Sequence, residues 1–494
     1  MTTQCLLVTP PFSPNTSNPL LGPGVLKAHA EEAGFPMRCI DLNIQYVSMF
    51  ADNTKHRAYA VGDHDADERT IDRARESFIE SLYLPEIDAA RIPCCDDPNS
   101  SLPHSFAELE SSIRKIMEDG FWPNFFERHI FSDNPQPAVL GLSIMGPTQV
   151  PLSLVLASLS KEHWPETLVI AGGSHITLLA SRIERDERYA GAIDFFAPGH
   201  SEGVLVKTLV HLSGKTDLDL KGLLRAGHKW TRAQELAPED RLAPIFEEDE
   251  LTYYNRDRLT LPVQLARGCA YGRCTYCTYP VVEQFEKVAV EQMAHRFVPS
   301  LLKYSPDCIS VKDSLLTMAS MTSFSQVLNE LGADVTWSAT TKVHSAMTPQ
   351  FMRTLADSGC RTLEMGVETI HESSQKFFDK VEPLENIDAA LDAALSAGIS
   401  VVVNMIYGIP GETIDDAHKQ LRWWRAWKKR APERVFGVHN MLQIDEGSPL
   451  SHNPKKYGLE LRGCGPWSFT YLWNALEWRP QFERYIKENG GRAQ

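Results

Sequence analysis

Short apolar runs alternate with helix-period segments along most of the chain, and this alternation restricts the fold more than any other feature. A first series of runs covers residues 5–9, 37–42, 138–144, 167–171 and 193–197. A second series covers 261–266, 307–311, 335–339, 362–367, 399–407 and 435–442. Runs of this length, rich in Val, Ile and Leu and separated by amphipathic segments, are the pattern of parallel strands covered by helices on their faces. The expected fold class is α/β: an N-terminal doubly wound parallel sheet, a partial (β/α)6 barrel and a short C-terminal extension. The expected domains are 1–215, with a helical insertion over about 43–136, then a linker over 216–252, a barrel over 253–450 and an extension over 451–494.

The insertion is polar, with helical patches at 68–84 and 106–117. Its Trp122-Pro123-Asn124-Phe125-Phe126 cluster reads as a packing anchor against the sheet, since aromatics at that density are a liability in water. The linker weakens into polar residues with Pro238 and Pro244. In the extension, Trp467, Phe469, Tyr471, Trp473 and Trp478 either cover the barrel mouth or pack on its side.

Charge and hydropathy exclude several partners. Lys and Arg number 49 against 64 Asp and Glu, a formal charge of -15 that repels nucleic acid. No apolar stretch reaches the roughly 18 residues a membrane helix requires. The N-terminus has no basic region of the kind that opens a signal peptide. A cytoplasmic location without nucleic-acid or membrane partners is expected. Of the 10 cysteines, all but Cys269, Cys274 and Cys277 are scattered without framework spacing, which suits a reducing compartment. The adjacent Cys94-Cys95 pair reads as incidental.

Cys269, Cys274 and Cys277 form one loop directly after the run 261–266. Thiolates are soft ligands suited to iron, and Gly268 and Gly272 allow a short loop to turn its sulfurs inward. Three protein ligands leave an iron position open for a substrate, whereas a structural zinc takes four. The nearest other candidates, Cys308 and His295, lie outside compact zinc spacings, although a zinc knuckle stays an alternative.

The C-x4-C-x2-C spacing resembles the cluster loop of the radical S-adenosylmethionine (SAM) superfamily, usually C-x3-C-x2-C with an aromatic before the last cysteine. Tyr276 takes the aromatic place, and one extra residue separates the first two cysteines. The resemblance implies a [4Fe-4S] cluster held by Cys269, Cys274 and Cys277. Further along, Gly408-Ile409-Pro410-Gly411-Glu412 resembles the segment that packs on the SAM adenine, and Glu364 to Glu368 resembles the motif near its ribose and methionine part. Asp313 stands roughly where the family binds the methionine amino group, and Ser338 lies at a strand end expected to face SAM. Thus Tyr276, Asp313, Ser338, Glu364, Glu368, Gly408 and Ile409 are the expected SAM contacts. Capping of strand ends is the alternative role for the polar ones.

The N-terminal series resembles the cobalamin-binding, Rossmann-like domain that precedes the barrel in one branch of that superfamily. The resemblance implies cobalamin contacts from Thr9, Ser143, Gly146, Gly172, Gly173, His175, Gly199 and Glu202. No Asp-x-His-x-x-Gly signature is present, so cobalt without a His ligand is implied. A domain that keeps the fold and has lost its ligand is the alternative. The implied activity is methylation of an unactivated carbon in a natural-product or peptide intermediate, with an electron donor such as flavodoxin or ferredoxin. Rearrangement, ring contraction or cyclisation, and a non-catalytic metal- or cobalamin-binding protein, are the other readings.

Overall fold

Five strands, β1 (Cys5–Thr9), β2 (Met37–Asp41), β3 (Val139–Ser143), β4 (Leu168–Gly172) and β5 (Phe195–Ala197), pair in parallel in the order β2-β1-β3-β4-β5. The structure is a computed structural model that describes residues 4–13, 18–50, 103, 105–217, 219–254, 258–463 and 465–488. Every residue of β1 and β3 is buried, as expected of strands with helices on both faces. Helices Leu21–Glu32, Val150–His163, Ser174–Ile183 and Glu202–Leu212 connect or follow these strands.

The chain divides into two compact units, Met1–Asp257 with Gly463–Phe469, and Arg258–Arg462 with Thr470–Gln494. In the first unit the described part of the insertion is helical and joins the core. Ser105 caps helix Phe106–Asp119 by accepting from the Glu108 N–H, and Gly120 ends it in the left-handed conformation. Trp122, Phe125, Phe126, Ile130 and Phe131 are buried with strand residues Val8, Leu140 and Leu142. The aromatic cluster is therefore the packing anchor the sequence indicates. The helical patch expected at 68–84 and the Cys94-Cys95 pair lie outside the described residues.

The polar stretch expected as a linker packs within the first unit. Leu223, Leu224 and Ala226 are buried, Leu224 exchanges backbone hydrogen bonds with Phe196, and Glu247 accepts from the Cys39 N–H. Residues 465–469 pack there too, through Tyr189 Oη to Pro466 O at 2.5 Å and Arg182 Nη1 to Ser468 O at 2.8 Å.

The second unit holds six parallel strands, β6 (Thr260–Val263), β7 (Cys308–Val311), β8 (Thr336–Lys342), β9 (Cys360–Glu368), β10 (Ser400–Tyr407) and β11 (Val435–Met441), in simple sequential order. This is the partial (β/α)6 pattern. In β8 to β11 exposure alternates: Trp337, Ala339 and Thr341 are buried, whereas Thr336, Ser338, Thr340 and Lys342 are half-buried. Trp337 meets Phe324 of helix Met318–Glu330, so the buried face looks to the helices and the half-buried one is the inner face. Ser338 and Glu364 thus lie within strands rather than at their ends, because β8 runs on through the polar Thr340, Thr341 and Lys342, and β9 opens at Cys360, before the apolar run begins.

Candidate active site

The cysteine loop follows β6 and is held by two carboxylates, one buried and one half-buried. Asp313, just past β7, accepts from the Leu265 N–H at 2.7 Å and the Ala266 N–H at 3.0 Å. Glu283 accepts from Gln264 Nε2 at 2.9 Å, the Gly268 N–H at 3.1 Å and Ser314 Oγ at 3.2 Å. Charge-assisted bonds of this kind are the strong class, and they fix where the loop starts. Gly268 sits at φ +70°, and a Cβ there would lie 2.5 Å from the Phe285 backbone, so only glycine fits. Asp313, an expected SAM contact, therefore has both carboxylate oxygens engaged by the loop's own backbone. Sequence reasoning missed Glu283.

Beyond the turn, the Gly272 N–H points at Cys269 Sγ at 3.5 Å, and the Cys277 N–H bonds Cys274 O at 3.2 Å. Thr275, between the second and third cysteines, bonds Phe378 O through its N–H at 3.0 Å and Phe377 O through its hydroxyl at 2.9 Å. The Leu450 N–H bonds Thr275 O in turn, at 3.0 Å. Tyr276 packs edge-on against Phe378, 4.6 Å between centroids, beside the cluster formed by Ile406, Ile409 and Leu442. The aromatic before the last cysteine is thus an anchor joining the loop to the ends of β9 and β10.

All three cysteines are free thiols, partly exposed. Burial pushes the Cys274 thiol up to about 11 and raises that of Cys277; Cys269 lies close enough to both to add to the shift. Among the described residues no three His, Cys, Asp or Glu are already gathered as a metal site. The donor set still fits an iron-sulfur cluster: soft ligands, one loop, mutual proximity and a cation close by. That cation is Lys380, whose Nζ lies 2.7 Å from Glu368 Oε1; burial opposes its charge, but Glu368, Cys274 and Cys277 hold its pKa above the usual value. Glu368, the last residue of β9, stands at φ +63°, a left-handed conformation uncommon for a residue with a Cβ. Its backbone carbonyl accepts from Gln420 Nε2 at 3.3 Å, which helps hold the strained end.

On the inner face, Glu364 accepts from Asn404 Nδ2 at 2.6 Å and from Thr340 Oγ1 at 3.3 Å. Tyr279 is 47% exposed, yet burial pushes its hydroxyl up to about 12, with Glu283, Cys277, Glu364 and Cys269 adding to the shift. The Tyr279 hydroxyl thus lies near both the cysteine loop and Glu364, at the hollow that the inner face of the curved sheet encloses. Ser338 belongs to this face, close enough to Cys308 to hydrogen-bond its thiol.

At the end of β10, Gly408 adopts φ +73°. Its N–H and that of Ile409 both donate to Glu412 Oε2, at 2.6 and 3.0 Å. Burial raises Glu412 to about 7 despite these bonds. A thermodynamically sound helix follows: Thr413 and Asp416 form a capping box, and Lys428, Lys429 and Arg430 occupy the last turn of Ile414–Arg430. Arg479 closes on Gly408, where a Cβ would meet its Cδ at 2.9 Å.

In the first unit the expected cobalamin residues gather at the C-terminal edge of the five-stranded sheet, where such sheets bind ligands. Thr9, Ser143 and Gly172 end β1, β3 and β4; Gly199 follows β5, and Glu202 begins a helix. Gly146 faces open space, nothing lying nearer than 4.0 Å to a Cβ built there, which is room for a ligand to approach. Gly173 has an internal reason: a Cβ would lie 2.3 Å from Ile144 O. The Gly199 N–H donates to Thr177 Oγ1 at 2.9 Å. His175 is fully buried and stacks on Trp467 at 6.4 Å, with Phe469 at 5.4 Å; burial lowers its pKa to about 3, so the ring is neutral.

Residues 321–423 match the family model of the Radical SAM superfamily. No curated protein matches the sequence. Among solved structures, the chain is similar to the radical SAM methyltransferase TsrM from Kitasatospora setae with cobalamin and a [4Fe-4S] cluster bound, at 15% identity and TM-score 0.59, covering 95% of this chain and 81% of that one. The same enzyme with tryptophan substrate and a SAM analogue aligns at 15% identity and TM-score 0.57, over 93% of this chain and 78% of that one. The cobalamin-dependent radical SAM enzyme OxsB with aqua-cobalamin aligns at 13% identity and TM-score 0.60, over 95% of this chain and 64% of that one. A stretch of the second unit thus matches the radical SAM family, and the chain shares its α/β fold with TsrM and OxsB.

Proposed function

We propose that the protein is a cobalamin-dependent radical SAM enzyme that methylates an unactivated carbon of a small-molecule or peptide intermediate. The observation that carries this reading is the set of three free thiols on one braced loop at the C-terminal edge of a six-stranded parallel sheet, bordering a polar hollow. Similarity to TsrM and OxsB supports both cofactors. When bound, the cluster and SAM supply a 5'-deoxyadenosyl radical and cobalamin supplies methyl transfer, chemistry that no acid or base side chain provides.

The chain's own residues position and shield. Cys269, Cys274 and Cys277 would hold the cluster, and Lys380 offsets the negative charge of the thiolates. Tyr276 ties the loop to the packed core beneath it. Gly408 and Ile409, buried with their N–H groups held by Glu412, would support a flat ring from beneath. Glu364 and Ser338 face the hollow in which SAM and substrate would meet, and Asp313 and Glu368 support the loop and the end of β9. In the first unit Thr9, Ser143, Gly146, Gly172, Gly199 and Glu202 would border cobalamin; His175 and Gly173 shape the edge from within. An electron donor of the flavodoxin or ferredoxin type and a cytoplasmic location complete the proposal. None of the described helices is long and apolar enough to cross a membrane.

The test is anaerobic reconstitution with iron, sulfide and hydroxocobalamin, followed by reductant and SAM. Formation of 5'-deoxyadenosine and S-adenosylhomocysteine, with bound cobalamin in the spectrum, is the expected result. Deoxyadenosine alone moves the assignment to a rearrangement. Zinc in place of iron with neither product overturns it. Replacing Cys269, Cys274 or Cys277 with Ala should abolish deoxyadenosine formation, and any variant that keeps it removes that cysteine from the ligand set.

A further inference from the structure

We propose that Lys312, together with Glu364 and Asn404 on the inner face of the six-stranded sheet, forms a subsite for the α-amino-acid end of the acceptor substrate. This rests on the radical SAM reading for what enters the hollow.

Three observations place the charges. Val311 pairs with Ala339 and Thr340 with Glu364, so Lys312, Thr340 and Glu364 occupy one layer across β7, β8 and β9. Lys312 shares its face with Cys308, two pleats earlier, whose thiol is within hydrogen-bonding reach of Thr260, Thr336 and Ser338. The Lys312 side chain is exposed on this inner face, and burial by neighbouring protein lowers its pKa.

The ammonium of Lys312 makes no hydrogen bond or ion pair with any of the described residues; it feels Glu364 and Cys308 only at longer range. Asn404 Nδ2 and Thr340 Oγ1 hold the Glu364 carboxylate in place, outside ion-pair distance of Lys312. Asn404 Oδ1 is buried and has no partner among the described residues. Surface lysines lose little by being unpaired, but a partly desolvated one with three unused donors favours an anion. The pair therefore offers a cation for a carboxylate and, beside it, a carboxylate with a vacant amide acceptor for an ammonium. Opposite charges in one layer on one face suit a ligand that carries both charges on one α-carbon. An uncharged or purely cationic acceptor would leave Lys312 without a partner.

SAM carries an amino-acid end as well, so the experiment has two arms, both on iron-reconstituted full-length protein without reductant. One measures SAM binding by equilibrium dialysis. The other measures saturation-transfer NMR with the twenty proteinogenic α-amino acids, their carboxamides and their N-acetyl derivatives. Wild type, Lys312→Met and Lys312→Arg are compared, with circular dichroism and iron content as controls for folding.

The expected result is amino-acid binding that weakens by about tenfold or more in Lys312→Met and is largely kept in Lys312→Arg, with carboxamides binding as poorly to wild type as acids do to the Met variant. N-acetyl derivatives should lose affinity through Glu364. SAM affinity should stay within about twofold of wild type. A loss confined to the SAM arm overturns the acceptor assignment and gives the subsite to SAM. Equal binding by wild type and Lys312→Met in both arms overturns the subsite altogether, as does the absence of any amino-acid binding. Failure of the radical reading shows separately, as absence of SAM cleavage by the wild type once reductant is added.

Discussion

Asp313 shows how a residue expected to touch a ligand can act one step behind it. It is 2% exposed, and both oxygens accept backbone N–H groups at the start of the cysteine loop. Removing them leaves two buried donors without partners, at roughly 1–3 kcal/mol each. Asp313→Ala should therefore destabilise the second unit by about 2–4 kcal/mol and lower iron per chain after reconstitution. Denaturant unfolding and iron analysis check both, and a variant with wild-type stability but lost SAM affinity would return Asp313 to ligand contact. The sequence marked this position correctly as a polar residue after a strand, but it could not say whether the carboxylate turns outward to a ligand or backward to its own chain. Glu283 escaped notice for the same reason: it lies on no strand end, and its three loop contacts arise only when the chain folds back on Gln264, Gly268 and Ser314.

At the scale of elements, apolar runs located all eleven strands of the two main sheets, because each is covered by helices on at least one face. Their limits were less legible where the other face is polar. Strand β8 continues to Lys342 through Thr340 and Thr341, and β9 begins at Cys360 with Arg361 exposed, so polar residues at these strand ends cut the apolar runs short. The tail gave no clue to its partner. Aromatic residues say that a surface is covered, not which one, and Trp467 packs with His175, Tyr189 and Phe196 in the first unit. Truncating a buried tryptophan costs about 3–5 kcal/mol. Trp467→Ala should thus lower hydrogen-exchange protection in β3, β4 and β5 of the full chain, and it exposes His175, whose burial holds the imidazole neutral. Unchanged protection there would show that the 465–469 segment contributes little to the first unit.

Across the whole molecule, buried carboxyl groups decide how stability responds to pH. Burial raises Asp41 to about 6 and Glu250 to about 8 in the first unit, and Glu412 to about 7 and Asp445 to about 6 in the second. Each keeps a proton in the folded chain that the unfolded chain has already released above about pH 4–4.5. Stability from these groups is present at low pH and is lost as pH rises through the folded values, by up to about 1.4 kcal/mol per pH unit for each proton. His175 and His439 have the opposite sign: burial depresses both to about 3, so they favour folding above about pH 6.5 and weaken it as pH falls. Between pH 6.5 and 8 the histidine contribution is complete and both aspartates have nearly finished titrating, which leaves Glu250 and Glu412. The denaturant midpoint should therefore fall as pH is raised from 6.5 to 8.5. Glu250 lies beside Asp41 and accepts from Gln45 Nε2 at 2.6 Å, so Glu250→Gln keeps an acceptor there and removes the charge. That variant should flatten the fall and gain stability relative to wild type at pH 8.5 while differing little at pH 5. A midpoint that rises with pH over this window in wild type, or an unchanged slope in Glu250→Gln, would show that the buried acid pair beside β2 does not govern the first unit's response.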